Sequence, residues 1–193
     1  MSEFVLAKVE IEETAATIAA RREYIGGAVD AIKAARRDIE RQIRKDRFFL
    51  TTMEPYDAPR GSPKVVARMC EAASAAGVGP MAAVAGAVAQ EALEAMMAKG
   101  LSHGWVDNGG DIALLVEDPV TVEVFSEPGS ASAFALDVEP SEEIVGICSS
   151  SGRLGHSISL GNSDIAVAVA DSAALADALA TAIGNRVVDT GSL

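Results

Sequence analysis

The rhythm of hydrophobic and polar positions changes several times along the chain, and each change marks an element. FVLAKVEI and TAATIAA read as two strands joined by the acidic turn at Glu12 and Glu13, an opening hairpin. From Ile25 to Asp46, Ile25, Val29, Ile32, Ile39 and Ile43 recur at helical spacing, while Arg36, Arg37, Arg41, Arg44 and Lys45 take the other faces. This predicts a long helix with a solvated basic surface. RFFL reads as a short strand. TTMEPYDAPRGSP, with three prolines and a glycine, is a loop and the place for a boundary between two lobes, near 51–63. Ser62 and Pro63 predict the N-cap and first residue of a helix reaching about Ala76. A second helix follows GVGP and runs to Lys99, with Gly100 as its stop.

From His103 the texture becomes strand and turn: HGWVDN, DIALLVE, VTVEVF, FALDVE, IVGIC and DIAVAVA. A last helix runs from Ser172 to about Ile183 and closes at Gly184 and Asn185. Elements grouped this way predict an α+β fold with a largely antiparallel sheet packed against helices, with room for a diverged duplication of a strand-and-helix unit. With 193 residues, about half of them apolar, one domain spanning 1–193 is expected.

Charge changes the picture of what the protein can bind. The net charge of −12 disfavours nucleic acid and anionic membranes as partners. Thirteen of the sixteen Lys and Arg residues lie at or before Arg68; beyond it only Lys99, Arg153 and Arg186 face seventeen acids. An anion held by the C-terminal half therefore needs backbone N–H groups, a helix N-terminus, a metal ion or Arg153. The uncharged run Ala72–Ala89 approaches the length of a membrane span, but GVGP breaks it, so a core helix-turn-helix is expected. The N-terminus carries acids where a signal peptide carries bases, and Cys70 and Cys148 form neither a metal-ligand spacing nor a disulfide framework. The expectation is a cytoplasmic protein, and one that self-associates, because unpaired sheet edges pair across two-fold axes.

Three segments carry candidate chemistry, and each also suits a plain structural role. In DNGGDI, Gly109 and Gly110 suit a tight hairpin turn and equally let a ligand approach the backbone, with Asn108 beside them and Asp111 placed for a ribose hydroxyl or a cation. In DALAT, Asp177 and Thr181 share a helix face; they form an oxygen pair for a hard cation such as Mg2+, or a carboxylate near a helix start and a hydroxyl bonded to its own turn. In CSSSGRLGH, Ser149, Ser150, Ser151 and Gly152 form either a mobile surface loop or a cradle for phosphate oxygens, with Arg153 as its cation. His156 there is a general base or an ordinary surface residue. Cys148 is a reactive thiol or a buried small residue, and His103 and Trp105 are packing residues.

Taken in order, DNGGDIAL, CSSSG with a histidine downstream, and ADALATAIGN resemble the GGD, TSG…H and D-x-x-x-T motifs of the ApbE-like superfamily, whose best-known members are FAD:protein FMN transferases. AGVGPMAAVAGAVAQ followed by NGGDI and SSSGRLGHSISLG is similar, over nearly the whole chain, to the short branch of that superfamily, protein family 0280. The resemblance implies an ApbE-like fold, Mg2+ at Asp177 and Thr181, FAD or another nucleotide at Gly109, Gly110 and Asp111, and the serine loop along its diphosphate. It implies His156 as the base of a Mg-dependent transferase or hydrolase. After His156 the sequence HSISLGNSD lacks the Asp-Pro and Thr-Gly of the transferases, which points to a relative that keeps the nucleotide or metal cradle for another purpose. The short branch also implies an alternative, an accessory role with a protein partner in sulfide assimilation and homocysteine formation, in which Cys148 handles sulfur. A non-catalytic subunit would keep the same motifs as turns and caps.

Overall fold

The structure, a computed structural model, describes residues 3–125, 134–151 and 163–187. β1 (Phe4–Ile11) and β2 (Thr14–Arg21) form the expected hairpin, paired antiparallel from Phe4↔Arg21 to Ile11↔Thr14. α1 (Arg22–Lys45) leaves β2 with no connecting loop, three residues before the apolar periodicity begins. Arg22 and Glu23 are exposed and Tyr24 is only partly buried, so no run of apolar positions marks this first turn. The basic face is not wholly solvated: the Arg36 side chain is 14% exposed, because its guanidinium reaches over the hairpin turn. It donates to Thr14 Oγ1 at 2.9 Å, to Glu12 Oε2 at 2.6 Å and to Glu13.

RFFL is not a strand. α2 (Phe48–Thr51) is one helical turn, because Asp46 Oδ1 accepts the Phe48 N–H at 2.9 Å and the Thr52 N–H closes on the Phe48 carbonyl at 2.9 Å. Phe49 alone points inward and is fully buried, edge-on to Tyr56 at 5.4 Å. α3 (Lys64–Ala76) starts one residue later than expected, with Pro63 at the cap position. The Ser62 hydroxyl donates back to the Pro59 carbonyl at 2.7 Å instead of capping the helix. Gly77, at φ 73, ends α3; a 3-10 turn at Pro80–Ala83 then leads into α4 (Val84–Met97), bent by 105° from α3. The uncharged run is thus folded into two short core helices. Among the described residues no single helix is long and apolar enough to cross a membrane.

The strands after α4 are β3 (Gly104–Asn108), β4 (Asp111–Leu115), β5 (Val120–Val124), β6 (Phe134–Val138), β7 (Val145–Ser150) and β8 (Ala166–Ala170). Four of these join β1 and β2 in one antiparallel sheet in the order β1-β2-β3-β4-β7-β8, while β5 and β6 pair separately. α5 (Ala173–Arg186) is capped by Ser172, whose Oγ accepts the Leu175 N–H at 3.4 Å. It continues through Gly184 and Asn185, where a stop was expected, because Gly184 keeps a negative φ and the glycine stop requires the left-handed conformation.

One face of the sheet carries the helices: α1 on β1 and β2, α4 on β3 and β4, α5 on β7 and β8, with α3 stacked outside on α5. The main core lies in this layer and is built from alanine, valine and methionine, which lets helix and sheet backbones approach closely. On the other face Leu114, Val116, Val138 and Ile147 form a second core beneath the β5–β6 hairpin. The unbroken apolar run DIALL follows from this, since β4 is covered on both sides.

Candidate functional site

Gly109 and Gly110, at φ 72 and φ 100, make the two-residue turn between β3 and β4, conformations that any side chain would resist. That turn fixes the register Asp107↔Ile112 and leaves Asn108 and Asp111 on its two shoulders, both facing the helices. Asn108 Nδ2 donates to the Ala85 carbonyl at 3.1 Å, tying the hairpin to the first turn of α4. The next amide of that turn, Gly86 N–H, donates to Asp177 Oδ2 at 2.9 Å. A buried carboxylate from α5 therefore sits at the positive end of α4. Gly86 makes the approach possible: a Cβ there would collide with the Ala173 carbonyl and lie 2.9 Å from the Asp177 Cβ.

β7 supplies the third side. Asp111 pairs with Cys148 across the sheet, and the Cys148 thiol donates to the Ala173 carbonyl of α5 at 3.3 Å while lying against Asp111. Ser149 and Ser150 belong to this strand, paired with Val167 and Ala166, and are not part of a loop as expected. Ser149 Oγ donates to the Gly110 carbonyl at 3.4 Å. Ser150 shares the helix-facing side of β7 with Cys148, and its buried Oγ has no partner among the described residues.

Electrostatics follow from this burial. Desolvation pushes the Asp111 carboxyl up to about 7, with Asp107 adding to the rise and the Cys148 thiol and Ser149 amide opposing it. Desolvation and then the charge of Asp111 push Asp177 well above the carboxylate range, against the opposing amides of Gly86 and Ala85. Burial also pushes the Cys148 thiol well up, so it stays protonated. Asp111 Oδ1 is buried with no hydrogen-bond partner among the described residues. Two mutually repelling carboxylates with an unsatisfied oxygen and nearby hydroxyls are a setting that a proton or a hard cation relieves.

The structure brings together Asn108, Gly109, Gly110, Asp111, Ser149, Ser150 and Asp177 around the start of α4, with Thr181 buried one turn further along α5. Ser151 follows β7 directly. Gly152, Arg153 and His156 lie outside the described residues. The donor set fits Mg2+ in kind: oxygen only, with two carboxylates, although no group of three or more His, Cys, Asp or Glu among the described residues is placed to hold an ion alone. Sequence reasoning missed Gln90, whose Oε1 accepts from Ser172 Oγ at 2.9 Å and from the Ala174 N–H at 3.4 Å, locking α4 to the start of α5. It also missed Ser163, a buried hydroxyl with no partner among the described residues. Neither has a local signature; only the small-residue run MAAVAGAVA pointed to a close approach at this helix.

A six-stranded antiparallel sheet backed by helices thus frames the candidate site, with the β3–β4 glycine turn and the buried Asp177 of the last helix both held to the start of α4. Two solved structures share the fold. The flavin transferase ApbE from Vibrio cholerae, a single-substitution variant, superposes with TM-score 0.60 at 15% identity, over 94% of this chain and 86% of that one. The apo flavinyl transferase ApbE of Pseudomonas stutzeri superposes with TM-score 0.55 at 13% identity, over 94% and 83%. The family model described as "AbpE bacteria" matches residues 5–192. The UPF0280 protein of Methanocella arvoryzae is 46% identical over 97% of this chain and 76% of its own length, and that of Methanoculleus marisnigri 47% identical over 92% and 74%. The chain belongs to this ApbE-like family, UPF0280.

Proposed function

We propose that the protein binds a flavin nucleotide, such as FAD, through its diphosphate together with Mg2+, at the junction of the β3–β4 turn, β7 and the start of α4. The observation that carries this reading is the buried pair Asp111 and Asp177: Asp111 Oδ1 has no hydrogen-bond partner among the described residues, and Asp177 sits at the start of α4, where Gly86 N–H donates to its Oδ2. Mg2+ is commonly held by one or two carboxylates plus substrate phosphates, which suits a site with two acids and no third. The ion, when bound, would screen the diphosphate and polarise the bond to be cut.

The chain's own residues have separable tasks in this reading. Gly86 N–H orients Asp177, and Thr181 adds a hydroxyl on the same helix face. Gly109 and Gly110 leave backbone unshielded for close approach of the ligand. Ser150 Oγ is a donor for a phosphate oxygen, and Ser149 Oγ holds the turn against β7. By the resemblance, Arg153 adds a cation and His156 a base. The flavin class is supported by the two solved transferases of like fold. Free, buried Cys70 and Cys148 suit a reducing cytoplasm. The sulfur-handling alternative loses its residue, because Cys148 is fully buried and its thiol is disfavoured from ionising.

Titration with FAD, with and without Mg2+, followed by flavin fluorescence and by chromatography for FMN and AMP, tests the reading. Mg2+-dependent binding with cleavage makes the protein a flavin-processing enzyme. Absence of FAD binding under both conditions refutes it.

A further inference from the structure

α4 and α5 cap one another. Asp177 of α5 accepts the Gly86 N–H from the first turn of α4 at 2.9 Å. In return Gln90 Oε1 of α4 accepts two donors from the start of α5, the Ser172 hydroxyl at 2.9 Å and the Ala174 N–H at 3.4 Å. The first turn of a helix holds N–H groups that no bond within that helix satisfies, and here each helix supplies an oxygen to the other. The two run in opposite senses at this contact: the step from Gly86 to Gln90 along α4, about 6 Å, leads from Asp177 back to Ala174 along α5.

Gln90 is buried, and the end of its amide that faces α5 is fixed from the opposite side. Its Nε2 donates to Glu94 Oε1 at 3.3 Å, and Glu94 is itself held by Arg68 at 2.7 Å and by Lys64. An amide turned the other way would set its N–H groups against two donors and its oxygen against a carboxylate. The contacts therefore run unbroken from Lys64 and Arg68 on α3, through Glu94 and Gln90 on α4, to the start of α5. Packing does little to set how far α5 lies along α4. Apart from Asp177, Thr181 and Gly184, the buried residues of α5 are all alanine, and Gly86 lies directly on Ala173. Side chains this small make shallow ridges, so the hydrogen bonds at Gly86 and Gln90 define the register.

We propose that Gln90 is a positioning residue for the candidate site: it fixes the start of α5 against α4 and thereby holds the Asp177 carboxylate at the Gly86 N–H, without itself contacting the ligand. Supports of this kind keep a liganding side chain in the geometry that binding needs. What Asp177 is positioned to bind rests on the flavin and Mg2+ proposal; the hold of Gln90 on Asp177 does not.

Two readouts on the full chain test it: the amide proton resonance of Gly86, displaced downfield by its bond to a carboxylate, and Mn2+ affinity in the presence of FAD. Gln90→Met keeps a similar volume and removes both hydrogen-bonding ends. In the folded variant the Gly86 resonance should move upfield while those of Ile18 and Val106, in the sheet, stay in place. Mn2+ affinity with FAD should fall by roughly 10–100-fold, the usual effect of losing the support of a metal ligand. Gln90→Glu combined with Glu94→Gln exchanges the two groups, leaving a carboxylate to accept from Ser172 and Ala174, and should return both readouts to near wild type. Ser172→Ala removes one of the two donors and should move both readouts the same way by less, so the proposal is tested even where Gln90→Met does not fold. Circular dichroism verifies the fold of each variant. A Gly86 resonance unmoved by Gln90→Met and Ser172→Ala, or a folded exchanged pair that restores neither readout, overturns the proposal. Wild type that binds neither Mn2+ nor FAD, with the Gly86 resonance still responding to Gln90→Met, overturns the ligand reading and supports the hold of Gln90 on Asp177.

Discussion

Replacing Asp111 by Asn should remove a pH-dependent weakness built into the protein. The wild-type carboxyl is moved from 3.8 up to about 7, chiefly by desolvation. Below the unfolded value both states are protonated and the group has no effect on stability. Between the two values the unfolded chain releases its proton and the folded chain keeps it, so stability falls as pH rises and levels off above the folded value. A shift of roughly three pKa units corresponds to a full penalty on the order of 4 kcal/mol, of which about 2.5 kcal/mol develops between about pH 5 and about pH 8. Asn keeps the shape and removes the charge. Urea unfolding across that range should show the midpoint falling for wild type, with a clearly smaller fall for Asp111→Asn, where only Asp177 still adds the same sign. Mg2+ should raise the wild-type midpoint more at the alkaline end, where the Asp111 carboxylate is ionised. Equal slopes in the two proteins would refute the reasoning, because they would mean that Asp111 is not held protonated by its surroundings.

Three further outcomes follow from the same contacts. Gly86→Ala places a methyl against the Ala173 carbonyl and should destabilise by about 1–3 kcal/mol, read as a lower Tm, while weakening FAD retention by displacing Asp177. Gln90→Leu strands the Ser172 hydroxyl and the buried Ala174 N–H; denaturant unfolding should register a loss of about 1–3 kcal/mol. A colourimetric thiol reagent should leave Cys70 and Cys148 unmodified in the native protein and titrate both after unfolding, since both are buried and their thiols are disfavoured from ionising.

Local signals served well where the determining interactions are local. The hairpin turn at Gly109 and Gly110, the Ser172 cap and the bend at GVGP are visible in sequence because each is made by neighbours along the chain. RFFL misled because its aromatic content suits a strand, whereas the deciding contact is an Asp46 carboxylate two residues upstream that caps a turn of helix. The end of α5 misled for a related reason: Gly184 is buried in the helix and never takes the conformation that stops one. The serine stretch was misjudged as geometry, since Ser149 and Ser150 are strand residues pinned by β8. The joints of the candidate site, Gly86 with Asp177, Asn108 with Ala85 and Gln90 with Ser172, connect residues 23 to 91 positions apart, and no window along the sequence contains both partners.

The measurement that addresses the central claim most directly is electron paramagnetic resonance of Mn2+, used in place of Mg2+, added to the protein with and without FAD. Wild type should bind the ion weakly alone and strongly with FAD, and Asp177→Asn should lose the FAD-dependent increase while keeping its fold. Mn2+ binding unchanged by the Asn substitution, or no difference with FAD, would contradict a cation held between the Asp111–Asp177 pair and a diphosphate.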